Sequence, residues 1–300
     1  MEDFTNLLAK NARQIGEMLD AKLSNHIESG EIARPPRLLA AMRHGVLNGG
    51  KRLRPFLVIE TARLFDANIE AARCVGAALE AIHCYSLIHD DLPAMDNDDL
   101  RRGKPTVHKA FDEATAILAG DALLTIAFDF LSDEKLELDA KIRLQLINGL
   151  ARSAGLGGMV GGQVLDLEAE TKKPDESGII TLEAMKTGAL IRYACEAGAI
   201  LSNATREDRE RLSEFGAAIG LAFQLADDVL DVTSDTNALG KTAGKDIAAN
   251  KATLVALHGV DWAKHQLEGL MEQADGLLEP FGNKADILRA TARFVIERKN

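Results

Sequence analysis

Five aspartates, Asp90, Asp91, Asp96, Asp98 and Asp99, crowd into ten residues of the stretch HDDLPAMDNDDLRRG, which runs from His89 to Gly103 at the end of an apolar run. Two carboxylates about 5 Å apart repel by roughly 3 kcal/mol at an effective dielectric of about 20, so a folded cluster of this kind asks for a cation. A second cluster, Asp227-Asp228-Val229-Leu230-Asp231, asks for the same. Asp227 and Asp231 stand four apart, which places both on one helix face with Cβ atoms about 5 to 6 Å apart. Mg²⁺ takes one or two carboxylates together with waters and substrate phosphates, and would turn that repulsion into attraction. Taken alone, such a pair is more simply a solvated acidic face.

Asp90 and Asp96 are six apart and would face different ways on an ideal helix. Pro93 stands between them and cannot donate to the carbonyl of His89. Regular helix should therefore end or kink at about 90 to 93, letting Asp96 return toward the helix end. An EF-hand loop beginning at Asp96 does not fit, since Arg101 would occupy the sharp-turn glycine position.

Basic residues gather in two places, Lys51-Arg52-Leu53-Arg54 and Arg101-Arg102-Gly103-Lys104, in a chain of net charge −11. That balance argues against nucleic acid as a partner and leaves local capture of small anions open. Each basic residue alone would be solvated or paired. His83 lies two turns before Asp90 on the same face, and Gln224 three residues before Asp227, so both fall within reach of the carboxylates. Two acidic clusters at the ends of apolar helices, with separate basic patches, imply metal-bridged phosphates held above a greasy pocket.

The elements that must position these groups read as helices. With 300 residues, 46% of them hydrophobic, the chain can bury a sizeable core, and its 4% aromatic content and scarce β-branched runs favour helix over strand. Apolar periodicity and breakers predict helices at about 3–29, 38–47, from Pro55 onward, 69–91, 111–132, 138–170, 181–203, 207–233, 252–279 and 285–297, with polar loops from Pro93 to Val107 and from Thr233 to Lys251. No strand of useful length is expected, and no linker divides the chain, so residues 1–300 read as one all-α domain. The two aspartate-bearing helix ends echo each other, an arrangement in which the two helices face each other across one cavity. The N-terminus lacks the basic flank and apolar block of a signal peptide, and no window approaches the roughly 18 apolar residues of an integral membrane segment. Cys74, Cys84 and Cys195 are an odd number without metal spacing and suit free thiols in a reducing cytoplasm.

With these motifs in order, the chain resembles the trans-prenyltransferases, the head-to-tail polyprenyl diphosphate synthases, over nearly its whole length from about Asn48, and most of all their bacterial farnesyl-forming members. The family's first aspartate-rich motif, DDxxxxD, matches Asp90, Asp91 and Asp96, and the second, DDxxD, matches Asp227, Asp228 and Asp231. The resemblance implies the isoprenoid synthase fold, a single-domain bundle of about ten or more helices around a deep apolar cavity. It assigns metal binding to Asp90, Asp91, Asp96, Asp227 and Asp231, with Mg²⁺ as cofactor, Mn²⁺ as a substitute and three ions expected once substrate is bound. The GKRxRP motif is Gly50-Lys51-Arg52-Leu53-Arg54-Pro55, and Lys51 and Arg54 with His83 are implied to hold isopentenyl diphosphate. Arg101 would reach the allylic diphosphate and Arg102 the isopentenyl diphosphate. Lys186-Thr187 and Phe223-Gln224 match the family's KT and FQ pairs, loop lysines correspond to Lys241 and Lys251, and GGQxxD runs from Gly161 to Asp166. A homodimer is implied as well.

The implied chemistry is ionisation of an allylic diphosphate, attack by isopentenyl diphosphate, and elimination. Arg101, Lys186 and Lys241 would add fixed positive charge where pyrophosphate charge develops. Thr187 and Gln224 would steady the allylic cation, and the departing pyrophosphate would take the last proton. Each five-carbon addition gains several kcal/mol of apolar burial at about 0.8 kcal/mol per CH₂, so elongation needs a floor to stop it. Tyr85, Ser86 and Ile82 lie five, four and eight residues before Asp90, and an aromatic at Tyr85 resembles the farnesyl-making members. Competing expectations are a geranylgeranyl diphosphate synthase, a terpene cyclase, which would have no use for the basic motif at Lys51 to Arg54, and a non-catalytic binding subunit that retains the fold.

Overall fold

The computed structural model describes residues 4–233 and 253–297. Its chain divides into two compact groups, residues 1–56 with 73–137 and residues 57–72 with 138–300; of the three passages between them, those at 56–57 and 72–73 fall inside helices and that at 137–138 falls in a connection.

In the first group, α1 (Phe4–Lys22) buries Leu8, Ile15 and Leu19 along one stripe. It stops at Lys22, short of the expected 29. There Arg34 donates from Nη1 to the carbonyls of Lys22 at 2.8 Å and Ser24 at 3.0 Å, partners that the last turn of a helix lacks. Helix α2 (Pro36–Val46) starts on a proline, whose missing N–H costs nothing in a first turn. Next come α3 (Leu53–Arg63) and α4 (Ile69–Asp90), the latter burying Val75, Leu79 and Ile82 as the apolar stripe predicts.

Beyond α4 lies a hairpin that the sequence pattern did not reveal. Strand β1 (Leu100–Arg101) pairs antiparallel with β2 (Lys104–Pro105). The turn residues Arg102 and Gly103 both have left-handed φ, 52° and 74°, as a type I′ turn requires. One helical turn, α5 (Val107–Ala110), leads to α6 (Glu113–Ser132), capped by Asp112, which accepts from the Thr115 N–H at 2.7 Å. Helix α6 packs against α2 and α5. Against the expectation that no window approaches the length of an apolar membrane segment, α6 is, among the described residues, the one helix long and apolar enough to cross a membrane by length and composition, a test that the core helix of a globular chain also passes.

The second group corrects three predicted boundaries. The helix expected at 138–170 is two, α7 (Ala140–Ala154) and α8 (Met159–Ala169), since the backbone leaves helical geometry at Gly155 (φ −88°, ψ −144°) and Gly158 (φ −136°, ψ −135°). The helix expected at 181–203 begins earlier as α9 (Glu176–Glu183), capped by Asp175 at 2.8 Å from the Gly178 N–H. It widens into a π turn at Ala184–Gly188 and continues as α10 (Ala189–Leu201). Helix α11 (Arg206–Thr233) runs as predicted. In place of 252–279 there are α12 (Leu254–His258) and α13 (Val260–Leu278), separated by Gly259 at φ 87°. Helix α14 (Asp286–Glu297) closes the described chain. The core of this group is α11, packed on α10, α13 and α14. Lys241 and Lys251 lie outside the described residues.

Candidate active site

In the first group α4 ends at Asp90, where Pro93 requires it to. The chain then doubles back. The Asp96 N–H donates to the Asp90 carbonyl at 2.8 Å, Asn97 to Leu92 at 3.1 Å and Asp98 to Asp91 at 3.2 Å. Asp96 thus returns to the helix end that carries Asp90, as the sequence predicts.

Asp91, expected among the metal ligands, is 2% exposed and gives both oxygens to Arg101. Arg101 donates to it from Nε at 2.8 and 3.0 Å and from Nη2 at 2.6 Å, a bidentate fork that fixes the guanidinium as well as binding it. Burial raises the Asp91 carboxyl above its ordinary value, against the pull of Arg101. For Arg101, burial disfavours the charge, and Asp91 first and then Asp90 more than restore it.

The two basic patches, distant in sequence, meet. Gly49 (φ 82°), Gly50 (φ 118°) and Arg52 (φ 51°) wind a left-handed path into α3. Arg102 donates from Nη1 to the Gly49 carbonyl, and its guanidinium occupies the space a Cβ on Gly50 would need. Lys104 reaches Asn48 Oδ1 at 3.1 Å. Arg54 Nη1 lies 3.5 Å from His83 Nε2. Burial, and after it the arginines Arg54, Arg102, Arg52 and Arg101, hold the His83 imidazole well below its ordinary pKa, so it is neutral near pH 7. Lys51 is exposed beside these groups.

Below the cluster, Tyr85 is buried and stands edge-on to His89, with ring centroids 5.7 Å apart. Burial raises its hydroxyl pKa to about 12, so the ring is neutral. Gly120 on α6 makes room for the His89 imidazole, whose Nε2 lies 3.1 Å from the Ile117 carbonyl. Ile82 is fully buried, and Ser86 Oγ donates to the His83 carbonyl at 2.9 Å.

In the second group α11 carries half-buried Phe223, Gln224 and Asp227, buried Asp228 and exposed Asp231. The Gln224 amide donates to Asp228 Oδ1 at 2.9 Å and accepts from the Thr187 hydroxyl at 3.1 Å, fixing which end of the amide faces which neighbour. Lys186 and Thr187 sit in the π turn, a distortion that often marks functional positions. Gly162 permits it, since a Cβ there would collide with the Lys186 backbone nitrogen. Lys186 Nζ is held by Asp166 at 2.5 Å.

Three acidic residues escape assignment from sequence: Asp166, which anchors Lys186; Glu80, which pairs with Arg52; and Glu183, buried one residue before the π turn. Burial, and next the charge of Asp228, raise the Glu183 carboxyl to about 8. Asp166 stood within the GGQxxD motif, and Glu80 was detectable as a charge in an otherwise apolar helix.

Among the described residues no three acidic or cysteine and histidine side chains converge as a complete metal cage. Carboxylates at helix ends with cations close by suit Mg²⁺, which shares its coordination with phosphate oxygens.

A family model described as polyprenyl synthetase matches residues 35–285. The farnesyl diphosphate synthase of Escherichia coli (strain K12) is 45% identical over 266 residues, 87% of this chain and 89% of that protein. The apo structure of an FPP/GFPP synthase from Zymomonas mobilis superposes with a TM-score of 0.86 at 45% identity, covering 98% of this chain and 99% of that one. A geranyltransferase from Helicobacter pylori complexed with magnesium and isoprenyl diphosphate superposes with a TM-score of 0.84 at 32% identity, covering 99% of both chains.

Proposed function

We propose, on the premise that the chain belongs to the polyprenyl synthetase family, that it is a Mg²⁺-dependent short-chain trans-prenyltransferase. It condenses dimethylallyl and geranyl diphosphates head-to-tail with isopentenyl diphosphate to give farnesyl diphosphate and pyrophosphate. The observation that carries this reading is the end of α4, where Asp96 returns to Asp90 while Arg101, Arg102 and the loop of residues 49–54 bring cations around them. A cyclase would have no second diphosphate for that loop.

In this reading Asp90, Asp96, Asp227 and Asp231 hold the metal, and Asp91 contributes by aiming Arg101. Mg²⁺ held by these carboxylates, three ions per active chain in this reading, would supply the positive charge that makes the allylic diphosphate a better leaving group. Arg101, Lys186 and Lys241 stabilise the charge that gathers on the departing pyrophosphate. The hydroxyl of Thr187 and the carbonyl of Gln224, already aligned with each other, present oxygen dipoles to the allylic cation. Lys51, Arg54, His83 and Arg102 hold isopentenyl diphosphate, with His83 offering a neutral N–H rather than a charge, and Lys251 is a further substrate-binding lysine. Buried Tyr85, backed by His89, closes the pocket at fifteen carbons.

Residues 1–300 act as one domain, in the cytoplasm, where Cys74, Cys84 and Cys195 stay reduced as buried thiols. A homodimer has its support in α6, whose Ile117 (44%) and Leu118 (57%) are exposed. A single-chain mass in light scattering would remove that partner.

The experiment is product chromatography from dimethylallyl and isopentenyl diphosphates, with Mg²⁺ present or chelated. Farnesyl diphosphate should appear only with metal. Asp90→Ala and Asp227→Ala should each lower turnover about a hundredfold or more with helical content intact; near-normal turnover in either would falsify metal-assisted ionisation. Tyr85→Ala should shift the product toward twenty carbons, and an unchanged product would move the floor elsewhere.

A further inference from the structure

Glu80 stands in α4 among Ala78, Leu79, Ala81 and Ile82, is itself 2% exposed, and meets Arg52 Nη1 at 2.6 Å. Arg52 is 6% exposed. Withdrawing both charges from water is costly, and apolar side chains of similar volume often serve stability as well or better. Stability alone is therefore a poor reason for this pair.

Its connections suggest another. Arg52 Nη2 donates to the Val46 carbonyl, at the end of α2, and Nη1 also lies 3.6 Å from Cys84 Sγ on α4. The Arg52 carbonyl accepts from the Phe56 N–H at 3.1 Å and so starts α3. One residue thus ties the end of α2, the middle of α4 and the start of α3. It does so in a left-handed conformation, φ 51°, that a residue with a Cβ rarely adopts. Burial works against the Arg52 charge, and the Glu80 carboxylate more than restores it.

The tied segment carries Lys51 on one side of Arg52 and Arg54 on the other. Glu80 and His83 are three apart on α4, hence neighbours on one face. Glu80 grips Arg52, and His83 meets Arg54 at 3.5 Å, so two positions of α4 on one face set the register of the loop.

We propose that Glu80 is a positioning residue: through Arg52 it fixes the backbone of residues 49–54 so that Lys51, Arg54 and His83 converge on the diphosphate of isopentenyl diphosphate. This rests on the assignment of those three residues to that substrate. Glu80 itself touches no substrate.

The test is steady-state kinetics of the full chain with Mg²⁺, varying each substrate in turn. Glu80→Gln keeps volume and removes the charge. Its KM for isopentenyl diphosphate should rise about tenfold, while kcat and the allylic KM stay within about twofold, the effect of a misplaced binding group rather than of lost chemistry. The double variant Arg52→Met with Glu80→Leu separates positioning from stability, and carries the test should Glu80→Gln fail to fold. Its thermal midpoint should recover to near wild type while its KM for isopentenyl diphosphate stays raised. Return of that KM to wild type along with stability, or a parallel rise of both KM values in either variant, would overturn the proposal. Lys51→Ala is the control. If it leaves the isopentenyl diphosphate KM unchanged, the substrate assignment fails; if it raises that KM while Glu80→Gln does not, only the role of Glu80 fails.

Discussion

The aspartates at the end of α4 look interchangeable in sequence and differ sharply in their surroundings. Asp91 is buried and forked to Arg101, whereas Asp96 is exposed. Removing one partner of a buried ion pair strands the other charge, at about 3 to 5 kcal/mol when burial is complete. Asp91→Ala should therefore cost roughly 3 kcal/mol in urea unfolding and also weaken allylic diphosphate binding through a loosened Arg101. Asp96→Ala should change stability by less than about 0.5 kcal/mol, as surface substitutions do, yet abolish most turnover. Equal stability losses in the two variants would refute this division of labour. Residue types and spacing revealed that carboxylates, arginines and a proline hinge belong together. They could not reveal which carboxylate is spent on an arginine, because that depends on how the hairpin after Leu100 turns Arg101 back.

At the scale of elements, the predictions fared best where periodicity was long and worst where glycine decides. Helices α4 and α11 have the limits their stripes and Pro93 suggest. The break between α7 and α8 turns on glycines whose conformational freedom a periodicity count does not weigh. The π turn lies close against α8 at Gly162, a tertiary contact with no local signature in sequence. Gly162 and Gly157 test this directly. A methyl at Gly162 would collide with the Lys186 backbone, while a Cβ at Gly157 meets nothing within 4 Å. Gly162→Ala should cost about 2 kcal/mol or more and lower kcat, since Lys186 and Thr187 move with the turn. Gly157→Ala should be neutral or slightly stabilising by both melting and kinetics. A silent Gly162→Ala would mean that the π turn does not depend on this approach.

For the molecule as a whole, composition alone pointed to an all-α chain, while the meeting of the two basic patches needed the folded hairpin. Stability against pH is a property at this scale with a definite sign. Glu60 is 4% exposed, and burial, opposed by Arg63, raises its carboxyl from 4.5 to about 7. The folded chain therefore binds a proton there that the unfolded chain has already released, and the associated stability is lost as pH rises from about 4.5 through 7. Glu60→Gln should remove that loss. The variant should gain on wild type by up to about 1.4 kcal/mol per pH unit across this window, read from urea midpoints at pH 5 and 8. Parallel curves for the two proteins would show that Glu60 ionises freely in the folded state. The free cysteines have a separate consequence. Cys84 is 3% exposed against Arg52 in the first group, Cys195 is 0% exposed in α10 of the second, and burial raises both thiols, Cys84 to about 12. Neither can be alkylated without a local opening, so their labelling rates under native conditions are two clocks already built into the chain. One times the release of the Arg52 staple, and the other times the breathing of the helices around α10.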